Sequence, residues 1–222
     1  MANDFTNPFS KVCRVKTWTE LNWFNHYCQR HEKGYLPFHL SRRPLATTDG
    51  PIGLILVPTR ELANQIASVA RSYLAIFGLS YLCITGGQSE WQQKKTLFNQ
   101  SFHVIISTPG RLIDLINEKY ISLRRVTYVV LDEADRMISL GFEQQIRSII
   151  SVIRPDCQLV LFSATFPPKM VDLAMELTTS PVRVSVGRVG AVNANIRQEI
   201  VVVKVTIADD WKSIIDCHHH YL

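Results

Sequence analysis

Three carboxylates, Asp132, Glu133 and Asp135, stand directly behind the apolar run Tyr128 to Leu131. Such a run suits a buried strand, and its end is where a side chain can point into a crevice. Phosphoryl transfer to water needs one carboxylate to hold Mg²⁺, usually through water, and another group to orient or deprotonate the attacking water. Asp132 suits the first role and Glu133 the second. Acidic residues also end strands as solvated caps, so the pair alone leaves both readings open.

Other polar groups gather in equivalent places: Thr59-Arg60, Gly86-Gly87, Thr108-Pro109-Gly110-Arg111 and Ser163-Ala164-Thr165. Each follows a near-continuous apolar run. The runs are Ile52–Val57, Leu79–Thr85, His103–Thr108, Tyr128–Glu133, Gln158–Ala164 and Val182–Val186, and they read as strands covered on both faces. Between them, residues 60–77, 89–99, 110–118, 142–153 and 168–178 carry helical patterns, with Thr59 and Ser89 as helix starts. This alternation predicts an α/β fold, doubly wound, with a mostly parallel sheet and helices on both faces. In such sheets ligands sit outside the carboxyl ends of the strands, so one edge carries the chemistry.

The flanks differ. Residues 1–34 are aromatic-rich and contain one helical stretch, about Thr19 to His31, with Gly34 as its stop. Residues 41–50, SRRPLATTDG, are loop chemistry, NANIRQEIVVVKVTI reads as one more strand, and ADDWKSIIDCHHHYL as a short helix.

With 222 residues, 46% of them hydrophobic, the chain can bury one substantial core. No apolar stretch approaches the ~18 residues of a membrane span, and MANDFTNPFSKV lacks the basic and apolar regions of a secretory signal. A nuclear or cytoplasmic protein is expected. The net charge of +5 favours a polyanionic partner, because lysine and arginine release counterions from phosphates. The five cysteines, Cys13, Cys28, Cys83, Cys157 and Cys217, form no C-x-x-C pair. Cys28 near His26 and His31, and Cys217 before His218, His219 and His220, allow a zinc site; a helix surface and a polar tail account for them equally simply.

The polar clusters also carry a resemblance. PTRELA (Pro58 to Ala63), Gly86-Gly87, TPGR (Thr108 to Arg111), DEAD (Asp132 to Asp135) and SAT (Ser163 to Thr165) follow the order and spacing of the first RecA-like domain of DEAD-box RNA helicases. The match runs from about Tyr35 to Val203. KTW (Lys16 to Trp18) and the wording around DGPIGLIL are similar to a spliceosomal subgroup.

The resemblance implies roles. Asp132 holds Mg²⁺ through water and Glu133 serves the attacking water, with ATP as the nucleotide. Ser163 and Thr165 bond to the DEAD carboxylates, Asp135 included, and couple nucleotide state to RNA. Thr59, Arg60, Thr108, Gly110 and Arg111 suit phosphate oxygens near helix starts. Gly86 and Gly87 let a sugar-phosphate chain approach closely. The implied partner is RNA, single-stranded or structured, held through its backbone with little base readout.

The departures matter as much. The P-loop, G-x-x-x-x-G-K-[ST], cradles phosphates with backbone N–H groups and a lysine. None of the ten glycines is followed by lysine. The family's adenine-reading element, with Gly-Phe, Pro and Ile-Gln, is also missing, HYCQRHEKG standing where the loop belongs. The resemblance places the strand that leads into the loop centrally, beside the DEAD strand, so the sheet is expected to be incomplete unless Lys11 to Trp18 substitutes. Residues 1–34 are then an atypical N-terminal segment, 35–203 a partial RecA-like domain, and 204–222 the truncated start of a linker or second domain. The expected function is that of a helicase core fragment inactive alone; the alternative is a non-catalytic RNA-binding or competitor protein. No G-x-S-x-G and no Rossmann glycine fingerprint supports another α/β enzyme.

Overall fold

The computed structural model describes residues 10–15, 50–178 and 181–186. In chain order the elements are β1 (Ser10–Val15), β2 (Gly53–Leu56), α1 (Arg60–Ile76), β3 (Tyr81–Ile84), α2 (Glu90–Asn99), β4 (Val104–Ser107) and α3 (Pro109–Asn117). Then come β5 (Tyr128–Leu131), α4 (Ala134–Ser139), α5 (Glu143–Ser151), β6 (Gln158–Ser163), α6 (Pro168–Leu177) and β7 (Val182–Val186). Every expected strand from Ile52 to Val186 forms, most of them trimmed to their apolar centres. The polar ends are left as loops. The expected Thr19–His31 helix, the strand and helix after Val189, and the Cys28 and Cys217 clusters lie outside the described residues.

The seven strands form one parallel sheet in the order β3-β4-β2-β5-β6-β1-β7. Successive residues of a strand face opposite sides, and the core divides accordingly. Leu54, Leu56, Ile105, Val129, Leu131, Leu159 and Leu161 pack with Leu112, Met137, Ile149 and Met170 from α3 to α6. Ile55, Val57, Val104, Ile106, Val130 and Val160 pack with Leu62, Ile66, Ala70 and Leu74 of α1. Both faces are covered, which is why the strands read as unbroken apolar runs. Each fully buried aliphatic side chain contributes roughly 1.5–3 kcal/mol. A charge at Ile66, 2% exposed on the inner face of α1, would break that contact.

The sheet corrects one expectation. β5, which leads into Asp132, pairs with β2 and β6. The slot assigned to the missing P-loop strand is therefore not beside it. Ser10–Val15 lies one strand further on, between β6 and β7, with Val12 opposite Leu161 and Arg183. β6 and β7 thus have a parallel partner between them, which removes the exposed ladder edges that an incomplete sheet would leave.

Local rules set the helix starts. Thr59 Oγ1 accepts the Leu62 N–H at 3.3 Å, and Ser89 Oγ accepts that of Gln92 at 3.4 Å. α3 begins at Pro109, whose missing N–H costs nothing in a first turn. α4 was not expected; it starts directly within the DEAD run.

Candidate functional site

The strand order sorts the polar clusters along the carboxyl edge. From one side it carries Gly86-Gly87 after β3, Thr108 to Arg111 after β4, Thr59-Arg60 after β2, Asp132 to Asp135 after β5, and Ser163 to Thr165 from the last residue of β6. Ladder bonds continue into these ends. Val57 N–H donates to Ser107 O at 3.0 Å, Thr108 N–H to Ile84 O at 3.2 Å, and Asp132 N–H to Leu56 O at 2.9 Å. The clusters are thereby held in register.

On the carboxylate side, Asp132 Oδ1 accepts the Glu133 N–H at 3.0 Å. Glu133 has φ 49° and ψ 48°, the left-handed region that a non-glycine residue enters at a cost of about 1–2 kcal/mol. This turn starts α4. The Glu133 carboxylate meets the Arg136 guanidinium at 3.1 Å on an exposed surface.

Asp135 is tied to the end of β6. Its Oδ2 accepts the Thr165 N–H at 2.9 Å and the Thr165 hydroxyl at 2.5 Å. Ser163, 3% exposed, accepts the Asp135 backbone N–H at 3.3 Å and donates its hydroxyl to the Thr165 carbonyl at 2.6 Å. The expectation that both hydroxyls bond to DEAD carboxylates is met by Thr165. Ser163 instead braces the backbone, because it is the last residue of the strand and faces the first turn of α4.

On the other side, Arg60 is exposed and its Nη1 donates to the Gly87 carbonyl at 3.4 Å. Gly87 has φ +73°, and a Cβ there would stand 2.9 Å from the same guanidinium. Glycine suits the position by its conformation, while the Arg60 guanidinium, at the end of a flexible side chain, could move aside for a Cβ. Around Gly86 and Gly110 no heavy atom lies within 4 Å of an added Cβ, so both backbones border open space. Thr108 is the N-cap of α3 and makes no side-chain cap bond.

Arg111 is placed differently from expectation. Its Nη1 lies 3.1 Å from Glu90 Oε2, an ion pair lacking the angle of a directed hydrogen bond, and its side chain is 13% exposed. Lys94 joins the same cluster, 2.5 Å from Glu90 and also paired with Glu118. The Lys94 ammonium holds the Glu90 carboxyl below its usual range, and Glu118 with Glu90 raises Lys94 above its own. The structure thus brings together Arg60 with Gly86-Gly87, and Asp135 with Ser163 and Thr165, while Arg111 is drawn into a cluster between α2 and α3.

A family model described as DEAD/DEAH box helicase matches residues 35–173. The chain belongs to that family. Among curated DEAD-box relatives, DEAD-box ATP-dependent RNA helicase 24 of Oryza sativa subsp. japonica is 48% identical over 166 residues, 74% of this chain and 21% of that protein. Pre-mRNA-processing ATP-dependent RNA helicase PRP5 of Phaeosphaeria nodorum is 44% identical over 184 residues, 82% of this chain and 15% of that protein. The chain therefore spans about a fifth or less of these relatives. The crystal structure of the yeast DEAD-box splicing factor Prp28 matches with TM-score 0.69 and 28% identity, covering 81% of this chain and 42% of that one. A DEAD box protein from Methanococcus jannaschii gives TM-score 0.65 at 28% identity, covering 85% and 47%. The RecA-like α/β fold and the resemblance to spliceosomal DEAD-box proteins are thereby borne out.

DEAD-box proteins of this kind imply ATP and Mg²⁺. Asp132, partly exposed at a strand end, fits a hydrated hard cation. Among the described residues no group of three or more His, Cys, Asp and Glu could hold a metal alone, so the cation would need phosphate oxygens as further ligands. The phosphate end does not fit: the sequence has no Gly-Lys, and β1, SKVCRV, contains no glycine. No helix among the described residues is long and apolar enough to cross a membrane.

Proposed function

We propose that this chain is a partial DEAD-box core that binds the RNA sugar-phosphate backbone, single-stranded or structured, and hydrolyses ATP little or not at all. Residues 35–203 form the RecA-like unit in this reading, 1–34 an atypical lead-in and 204–222 the beginning of a linker or second domain. Its place is nuclear or cytoplasmic.

The observation that carries it is the convergence of Arg60 on Gly87 at one end of the carboxyl edge. An exposed guanidinium beside a side-chain-free turn fits a phosphodiester, which needs a positive charge and close backbone approach. The N-terminal turns of α1 and α3 add oriented N–H groups. Thr59 still has its hydroxyl proton to donate, since its oxygen only accepts from Leu62. Thr108 and Gly110 continue the surface between the two arginines.

In this reading Asp132 and Glu133 would serve Mg²⁺ and water in an intact enzyme, and Asp135, Ser163 and Thr165 the coupling. The missing phosphate cradle favours the non-catalytic RNA-binding reading for this chain.

The test is single-stranded RNA binding measured across a salt series. Each phosphate contact on a single strand contributes about 0.7 to the slope of log affinity against log salt. Arg60→Ala should weaken binding and reduce the slope by about that amount. Arg111→Ala, whose guanidinium is engaged by Glu90, should weaken it less. Unchanged binding in both variants contradicts the reading.

A further inference from the structure

Helix α2 carries Glu90-Trp-Gln-Gln-Lys-Lys-Thr-Leu-Phe-Asn99, and its one buried residue is a polar one, Gln93, 6% exposed. Burying an amide is unfavourable unless it is bonded. The Gln93 Nε2 donates to the Thr85 carbonyl at 3.0 Å and to Gln88 Oε1 at 3.0 Å. Thr85 and Gln88 are the residues on either side of Gly86-Gly87. A single amide therefore grips both shoulders of the glycine turn.

The grip is not the most stable way to fill this space. Gln93 Oε1 and the hydroxyl of Thr85, itself fully buried, have no hydrogen-bond partner. Each such atom carries a desolvation penalty that an apolar side chain of similar size would avoid. What the amide supplies instead is geometry. It fixes the turn in which Gly87 holds φ +73° and its carbonyl meets Arg60 Nη1.

We infer that Gln93 is a positioning residue for RNA binding, holding the Gly86-Gly87 turn so that its backbone and the Arg60 guanidinium meet the sugar-phosphate chain together. The inference rests on the RNA-backbone reading above. Gln93 itself is shielded from RNA and acts through the turn.

The experiment is a binding cycle with single-stranded RNA on the 222-residue chain, comparing Arg60→Ala, Gln93→Met and the double variant, with melting temperatures alongside. Gln93→Met removes the donor at similar volume. It should weaken binding about three- to tenfold, the worth of a lost hydrogen bond, and lower the melting temperature only slightly, because the Thr85 carbonyl loses its donor while the unpartnered Gln93 Oε1 is removed. Its effect should shrink in the Arg60→Ala background, because Arg60 no longer depends on the turn. Wild-type binding by Gln93→Met, or full additivity with Arg60→Ala, overturns the role of Gln93. If Gln93→Met fails to fold, Gln88→Ala, an exposed change that removes one of the two acceptors, carries the same cycle with the same two outcomes. Arg60→Ala and Arg111→Ala that both bind as wild type overturn the RNA reading, and the role of Gln93 with it.

Discussion

Thr165 donates both its backbone N–H and its hydroxyl to one oxygen of Asp135, at 2.9 and 2.5 Å. The end of β6 is thereby bound to α4, which begins inside the DEAD run. Thr165→Val keeps the shape and removes the hydroxyl. It should cost about 1 kcal/mol in urea denaturation, and Thr165→Ser should recover most of that. Equal stability of Thr165→Val and wild type would show that the hydroxyl bond does not contribute.

Glu133 occupies a left-handed conformation that only glycine adopts without strain. Glu133→Ala keeps the strain and Glu133→Gly removes it, and both lose the carboxylate. The glycine variant should be the more stable by about 1 kcal/mol. An alanine variant as stable as glycine would mean the backbone relaxes elsewhere.

His103 gives a pH dependence. Its Nδ1 accepts the Ser80 N–H at 3.0 Å and lies 2.9 Å from the Ser80 hydroxyl, which requires a neutral ring. Burial first, and then the Arg125 charge, hold its pKa below the ordinary histidine value. In the window between that lowered value and about 6.5, the unfolded chain binds the extra proton and the folded chain does not. Stability therefore rises with pH through the window, is level above it, and falls as pH drops into it. The difference in melting temperature between wild type and His103→Leu should be larger at pH 7.5 than at pH 5. A difference independent of pH would remove His103 as the cause.

β1 is paired on both sides, so its amides are needed in the ladder. Val12→Pro removes an N–H opposite Leu161 and Arg183 and should destabilise the fold by about 2–3 kcal/mol. Unchanged melting of Val12→Pro would show that Ser10–Val15 is not an interior strand.

Much of this was legible because burial on both faces leaves a sequence signature. Val129 to Leu131 and Leu159 to Leu161 show no alternation since each face meets helices. β1 was harder, because Lys11 and Arg14 interrupt its apolar residues. Its slot is not readable either, since sequence order says nothing about β6 inserting between β5 and β1. α4 is hidden in the sequence by its own motif: three carboxylates behind an apolar run suggest a strand end, and the left-handed turn at Glu133 leaves no pattern. The pairing of Arg111 with Glu90 joins two helices that are distant in sequence. Gln93 gave no periodic signal, being the buried member of a largely polar helix.

In the proposed function the chain keeps an RNA-binding end of the carboxyl edge, while the triphosphate has no Gly-Lys loop to hold it. The most direct measurement is ATP turnover by the 222-residue chain with and without single-stranded RNA, alongside Glu133→Gln. The expected result is no RNA-stimulated turnover and no difference between the two proteins. Turnover that RNA stimulates and Glu133→Gln abolishes would contradict it.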